Sequence, residues 1–330
     1  MGPYALRFFL TVVLTAIFAG SGFASPLSNP LLALVPPGSQ IVAGFDNRPG
    51  FRVHGRLLLT THNNRLDLDD WQALTGADPK RMFDQIIEVA FAPSGLALSE
   101  HMLLVAGRFD GERIFQSLKE NGAEIVGHQG ADIALVRPLA RERGDMLDDR
   151  WLAILDNRTG IFGTPWLVQQ ALRRAADHAV PDSILEERLS LLRPDVTSWN
   201  VLAASPTSVT NVTFAQPRSA WAQLQQDADV LTLGTRFGEK IRVDFSIYAN
   251  ASRGPEFFAR KAEFFTSALG TGSNPDSPAP ETAARRVTNF SLAANRVQGS
   301  VEMSSTQFEV WCEHLYVVRN SQIPAATTGN

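Results

Sequence analysis

The sequence predicts an α+β fold of two similar lobes, each a mainly antiparallel sheet with helices packed on one face. An order of strand, turn, helix, strand and strand occurs twice, first at His101–Gly122 with Asp132–Arg137. It returns at Ile241–Leu269 with Thr288–Met303, about 140 residues later, which suggests an internal duplication. Hairpins join many of the strands, and this favours an α+β class over a parallel, doubly wound sheet.

The first 24 residues have the organisation of a secretory signal peptide. Arg7 precedes an apolar run from Phe8 to Ala19, and small residues follow as far as Ser25. This order predicts export, with cleavage near Ala24, to the periplasm or the extracellular space. An uncleaved anchor is the alternative, although the run is shorter than the ~20 apolar residues that span a bilayer. No later segment approaches that length, so we expect no stable transmembrane segment in the mature chain.

The rest of the chain divides into four predicted segments. Residues 25–40 contain several prolines and are expected to form an extended lead-in. Residues 41–195 form the amino-terminal lobe and residues 196–318 the carboxyl-terminal lobe, with the junction near Pro194. Residues 319–330 are polar and are expected to be disordered.

Period-two apolar runs and helix-boundary residues define the elements of the first lobe. Strands are predicted at 41–46, 56–61, 88–92, 101–109, 124–128, 132–137, 151–156 and 160–163. Helices are predicted at 67–75, 78–87, 112–121, 165–177 and 184–192. Pro79 suits a first helical position, and Gly122 suits the residue that ends a helix.

The second lobe is also predicted to combine strands and helices. Strands are predicted at 199–204, 209–214, 241–248, 288–294 and 297–303, and helices at 219–226, 255–269 and 305–316. Residues 241–248 alternate strictly between apolar and polar, which predicts one buried and one wet face. Four phenylalanines line the 255–269 helix. Packing on the 241–248 strand is favoured over lipid contact, because basic partners are few.

Composition excludes some classes of function. The formal net charge is −4 and the apolar content is 44%, so the chain is globular. It lacks the clustered basic face that nucleic acid or an anionic membrane would require. Cys312 is the single cysteine, so no internal disulfide can form. It lies on an apolar helical stripe and is interpreted as a buried hydrophobe.

No catalytic, cofactor-binding or metal-binding residue is predicted. The chain has no G-x-S-x-G elbow and no phosphate-binding loop. The best polar group is His62 with Asp67, Asp69 and Asp70, but aspartates at a helix start usually serve as caps. The Arg-Gly-Asp tripeptide at 143–145 is interpreted as accidental. So are the glycosylation sequons at Asn157, Asn211, Asn250 and Asn289.

Three short motifs resemble those of uncharacterised exported bacterial proteins. They are Leu34–Gly44, Leu74–Pro79 and Val105–Asp110, which are turns and strand ends. The resemblance implies a bacterial envelope or secreted setting and no activity.

The leading hypothesis is a non-catalytic envelope or secreted protein that binds an unknown protein or small molecule, without a cofactor. A hydrolase built from dispersed residues is the first alternative, with His62, Asp69 and Asp70 as its candidate residues. The other alternative is a lipid-contacting carrier that uses the phenylalanine-rich helix.

Overall fold

The computed structural model describes residues 26–46, 75–76, 78–91, 100–128, 131–136, 150–203, 230–248, 287–293, 296–304 and 308. Within these ranges the strands are β1 (Ile41–Asp46), β2 (Phe83–Phe91), β3 (Glu100–Gly107), β4 (Glu124–His128), β5 (Ala131–Val136), β6 (Arg150–Leu155), β7 (Thr159–Gly163), β8 (Ser198–Ala203), β9 (Val230–Arg236), β10 (Ile241–Tyr248), β11 (Val287–Ala293) and β12 (Arg296–Met303). The α-helices are α1 (Pro79–Met82), α2 (Gly111–Glu120), α3 (Pro165–Ala176) and α4 (Ser183–Leu189). Two short 3-10 helices, Pro26–Ser28 and Pro30–Leu34, precede β1.

The twelve strands form one antiparallel sheet in the order β11-β12-β10-β9-β8-β1-β2-β3-β7-β6-β5-β4. The two halves of the chain meet at the β1–β8 seam, where Ile41 pairs with Leu202 and Phe45 with Ser198. Outward from this seam, one series runs β1-β2-β3-β7-β6-β5-β4 and the other runs β8-β9-β10-β12-β11. In both series, three strands consecutive in the chain are followed by strands in reverse chain order.

The predicted α+β fold of two lobes, each with helices on one face, is wrong. The molecule is dominated by a single sheet that continues through the seam, and helices lie on both of its faces. The apolar pattern identified β1 and β8 as strands, but it carries no information about which strands pair. Pairing satisfies the backbone groups along the edges of both strands, and this joins the halves into one sheet.

Helix α3 and the second 3-10 helix cover one side of the sheet, called here the α3 face. Their apolar side chains pack on alternate residues of neighbouring strands, including Val42, Ile87 and Leu104. The Arg174 side chain also donates a hydrogen bond from Nε to the Ala33 carbonyl at 2.7 Å. The second 3-10 helix lies within the predicted extended lead-in, and its leucines are part of the core.

The opposite side, called here the α2 face, buries the intervening residues of the same strands. Ile114 and Leu118 of α2 pack there with Ile86, Leu103 and Phe162. Asp110 starts the helix, because its side chain accepts a hydrogen bond from the Arg113 amide at 3.1 Å.

Two local predictions differ from the structure. The helix predicted at 78–87 ends at Met82, and the apolar run from Phe83 continues as β2. Strand β9 was not predicted at all. The other elements in the described ranges lie within a few residues of their predicted positions.

Several predicted features lie outside the described residues. They are the signal peptide, the strands at 56–61 and 209–214, the helices at 219–226 and 255–269, the helix at 67–75 apart from Thr75, the final helix apart from Phe308, and the 319–330 tail. Among the helices that are described, none has the length and apolar character needed to cross a bilayer.

Candidate functional site: a polar face on β9, β10 and β12

The α3 face changes from apolar to polar along the sheet. The strand pairings align one residue from each strand into a single row across this face. From β4 to β11 the row reads Val126, Ile133, Ala153, Ile161, Leu104, Ile87, Gly44, Trp199, Gly234, Asp244, Ser300 and Asn289. The polar character therefore begins beyond β8, although the same face is an apolar core in the other half.

Polar side chains fill several neighbouring positions on this part of the sheet. The polar face comprises Thr232, Arg242, Asp244, Ser246, Tyr248, Arg296, Gln298, Ser300 and Glu302. Strict alternation in β10 places its polar residues on one side, and the register with β9 and β12 brings their polar residues beside them. The other side of β10 holds Ile241, Val243, Phe245 and Ile247, all of which are buried.

An ion-pair network borders the polar face. It lies on the segment after α4, where Val196 packs over Gly234, a position without a side chain. In that segment the Asp195 carboxylate lies 3.1 Å from Arg193 Nε and 2.8 Å from Arg236 Nη1. Burial alone would raise the pKa of Asp195, but hydrogen bonds from Arg193 and Arg236 and the charge of Arg193 lower it.

A second carboxylate connects this network to the polar face. Asp244 accepts a hydrogen bond from Arg242 Nε at 2.9 Å, and its other oxygen lies 3.9 Å from Arg193 Nε. The guanidinium group of Arg193 therefore lies near both Asp195 and Asp244. The hydrogen bond that Arg193 donates to Asp195 is the main reason that the pKa of Arg193 is raised.

Three hydroxyl groups on the polar face, those of Thr232, Tyr248 and Ser300, are buried without a hydrogen bond. Thr232 is 1% exposed and Ser300 is 2% exposed, and neither Oγ atom has a partner. Ser246, which pairs with Thr232 across β9 and β10, is also buried but accepts a hydrogen bond from Gln298 Nε2 at 3.0 Å. An unpaired buried hydroxyl destabilises a fold by about 1–3 kcal/mol, so such groups are rare in native proteins.

Tyr248 and Arg296 form one end of the polar face. The guanidinium carbon of Arg296 lies 5.4 Å from the centroid of the Tyr248 ring, which is within the range of a cation–π contact. Burial raises the pKa of the Tyr248 hydroxyl, the charge of Arg296 opposes the rise, and the Glu187 carboxylate adds to it. The phenol is therefore a neutral hydrogen-bonding group at neutral pH.

Among the residues that the structure describes, charge is balanced over the polar face and its border. The arginines are Arg193, Arg236, Arg242 and Arg296, and the carboxylates are Glu187, Asp195, Asp244 and Glu302. Because the two signs are equal in number, this surface does not select strongly for an anion or a cation.

Two other polar features are structural or separate from this surface. A cleft of about 220 Å³ lies between α1 and α2, but Asp110 in it caps a helix and Asp78 pairs with Arg81 at 3.4 Å. Glu88 is 3% exposed at the centre of the sheet, between Ala43 and Leu103 on the α2 face. It lies on the opposite side of the sheet from the polar face.

Most of the residues singled out from sequence lie in parts of the chain that the structure does not describe. His62, Asp67, Asp69, Asp70, Cys312 and the 143–145 tripeptide lie outside the described residues. Asn157 lies in the β6–β7 turn, and Asn289 lies in β11. Across the described ranges, no group of three or more histidine, cysteine, aspartate or glutamate side chains could hold a metal ion.

Sequence reasoning missed the contribution of β9 and the burial of the polar side of β10. The β-branched and leucine-rich run Val230–Thr235 carried a strand signal that could have identified β9. The polar side of β10 was predicted to be wet, whereas Ser246 is buried and Tyr248 is partly buried.

Comparison of the chain with protein-family models, curated proteins and solved structures found no match. The function must therefore be inferred from the chemistry of the chain itself.

Proposed function

We propose that this is an exported, non-catalytic binding protein whose polar face holds a ligand rich in hydrogen-bonding groups and low in net charge. The observation that carries the proposal is the group of three buried, unpaired hydroxyls of Thr232, Tyr248 and Ser300. A ligand that hydrogen-bonds to them would offset the cost of leaving them unpaired. The export signal and the envelope setting come from the sequence alone.

The ligand class follows from the surrounding side chains. The side chains of Arg242, Tyr248 and Gln298 are partly exposed, although the hydroxyl oxygen of Tyr248 is itself buried. They supply guanidinium, phenol and amide groups, while the balanced charges remove a strong preference for an ion. A neutral polyhydroxylated molecule, such as an oligosaccharide, fits this set of donors and acceptors.

The experiment is calorimetric titration of the purified mature protein with a panel of neutral oligosaccharides, followed by Thr232→Val. This change removes the unpaired hydroxyl and keeps the shape of the side chain. We expect it to weaken binding about tenfold or more, which corresponds to about 1.4 kcal/mol. It should not lower the thermal stability of the unliganded protein.

Thr235→Val is the matched control, because Thr235 lies in the same strand but on the α2 face. It should leave binding unchanged. If the wild-type protein bound none of the panel, or if Thr232→Val and Thr235→Val bound equally well, the proposal would be abandoned. The hydrolase and lipid-carrier alternatives depend on residues outside the described ranges, and no contact described above favours either.

A further inference from the structure

One row of residues links the polar face to β2, at the end of the sheet where β10 finishes. The strand pairings, with the β1–β2 register continued by one residue, set this row across five strands. The Ala203 amide also donates a hydrogen bond to the Gln40 carbonyl at 2.7 Å, which fixes the β1–β8 step. From β2 to β10 the row, called here the end row, reads Phe91, Gln40, Ala203, Val230 and Tyr248.

The end row lies on the α3 face and is open to solvent along its length. Phe91 and Val230 pack against the core of that face. Alternation along β10 puts Tyr248 on the same side as the buried Ser246. All five side chains of the row are partly exposed, and none of them is charged at neutral pH. The end row is therefore an uncharged surface that is continuous with the polar face.

An aromatic pair lies at the β2 end of this row. Trp166, near the start of α3, contacts Phe91 edge to face, with ring centroids 5.3 Å apart. Trp166 is 36% exposed, whereas Trp199 in the core of the α3 face is 4% exposed. An accessible aromatic ring can pack on the apolar C–H face of a sugar ring, while the sugar hydroxyls bind polar neighbours. The pair therefore offers a surface suited to a sugar.

The distance along the end row sets the length of ligand that could use both ends. Four strand spacings of about 4.8 Å separate β2 from β10, so the aromatic pair lies about 19 Å from Tyr248. A single sugar ring is much shorter than this distance. Neighbouring strands are also rotated by about 20–25° relative to one another, so the row is curved. A flexible chain of sugars can follow such a curve, whereas a rigid polycyclic molecule cannot.

We propose that the ligand of the polar face is a linear neutral oligosaccharide that extends along the end row and stacks on the Trp166–Phe91 pair. This inference rests on the function proposed above, because the buried hydroxyls of the polar face hold one end of the chain. The aromatic pair forms a second subsite that only a longer chain reaches. Affinity therefore increases with chain length until the chain arrives at Trp166.

The test is calorimetric titration of the mature protein with maltose, cellobiose and their longer homologues up to the octasaccharides. We expect the longest chains to bind about tenfold or more tightly than the disaccharide. Trp166→Ala should remove this gain and leave the affinity for the disaccharide unchanged. Trp166→Phe, which keeps an aromatic ring, should retain most of the gain. Thr232→Val should weaken binding at every length.

Val180→Ala is the matched control, because Val180 is an apolar side chain that is 77% exposed and follows the opposite end of α3. It should leave the gain with chain length intact. Disaccharide binding that Thr232→Val weakens, with no gain for longer chains, would overturn this inference and keep the proposed function. So would a gain that survives in Trp166→Ala. A protein that binds no sugar of either series would overturn both.

Discussion

The Trp199 indole lies over Gly44 across the β1–β8 seam, so a side chain at position 44 would collide with the ring. Trp199 is 4% exposed and belongs to the same core as Leu31 and Val42. The bulky indole of Trp199 therefore fits at the junction of the two halves because Gly44 has no side chain.

Gly44→Ala should destabilise the protein by about 1–3 kcal/mol, because an added methyl group in a packed site forces its neighbours to move. The measurement is urea denaturation followed by tryptophan fluorescence. Gly127→Ala is the control, since both substitutions reduce the entropy of the unfolded chain equally. It should change stability by no more than about 0.5 kcal/mol.

Trp199→Leu in the Gly44→Ala background tests whether the collision is the cause. In a double-mutant cycle, Gly44→Ala should destabilise the Trp199→Leu variant much less than it destabilises the wild-type protein, because leucine is smaller than tryptophan. Equal costs in both backgrounds would show that the destabilisation has another origin.

Asp110→Ala should lower stability by about 1 kcal/mol, because it removes the side-chain acceptor for the Arg113 amide at the start of α2. Asp182 precedes α4 but makes no capping hydrogen bond, so Asp182→Ala should have a smaller effect. Chemical denaturation of the two variants measures the difference. Equal losses would argue against capping as the source.

Acid should weaken the Asp195 network. Its pKa is lower in the folded protein than the ordinary 3.8, so its stabilising contribution is present above that pH and is lost as pH falls through the folded value. Asp195→Asn should cost about 1 kcal/mol at neutral pH, since the group is only partly buried. The difference from wild type should shrink below about pH 3.8, as followed by thermal unfolding at a series of pH values. A constant difference across that range would contradict this assignment.

Tyr248 should ionise above the ordinary tyrosine value of 10.0, because burial disfavours the phenolate. Its contribution to stability is present below that value and is lost as pH rises through the folded pKa. The difference in phenolate absorbance between the wild-type protein and Tyr248→Phe, measured against pH, gives the titration of Tyr248 alone. Arg296→Gln should raise the pKa further, because Arg296 opposes the shift. A lower pKa in that variant would mean that Arg296 does not act on the phenol through its charge.

Local elements were predictable where helix-boundary or turn residues and the periodicity of apolar residues indicate the same element. Asp110-Gly111 and Gly122 enclose a helical stripe, and the structure has α2 at that place with Gly122 at a positive φ of 87°. The alternation in Ile241–Tyr248 predicted β10 and its apolar side correctly. In these segments the contacts that determine the local structure join residues only a few positions apart, so the pattern of a single sequence is enough to predict it.

The arrangement of the sheet was not predictable from the same patterns. Nothing in Ile41–Asp46 identifies Ser198–Ala203 as its partner, since many strands offer similar edges. The polar face depends on that arrangement too, because Thr232 and Ser300 come together only through the register of β9, β10 and β12. The duplication suggested by the 140-residue spacing stays a prediction.

The seam also sets an order of events during synthesis. Strand β1 leaves the ribosome about 150 residues before β8, and closing so long a loop is slow and entropically costly. Until the carboxyl half emerges, the β1 edge that faces β8 in the finished sheet has no β8 to pair with. The nascent amino half therefore carries an unpaired strand edge through about half of translation. We expect chaperones to shield this edge at first, and pairing with β8 to cover it once the carboxyl half has been made.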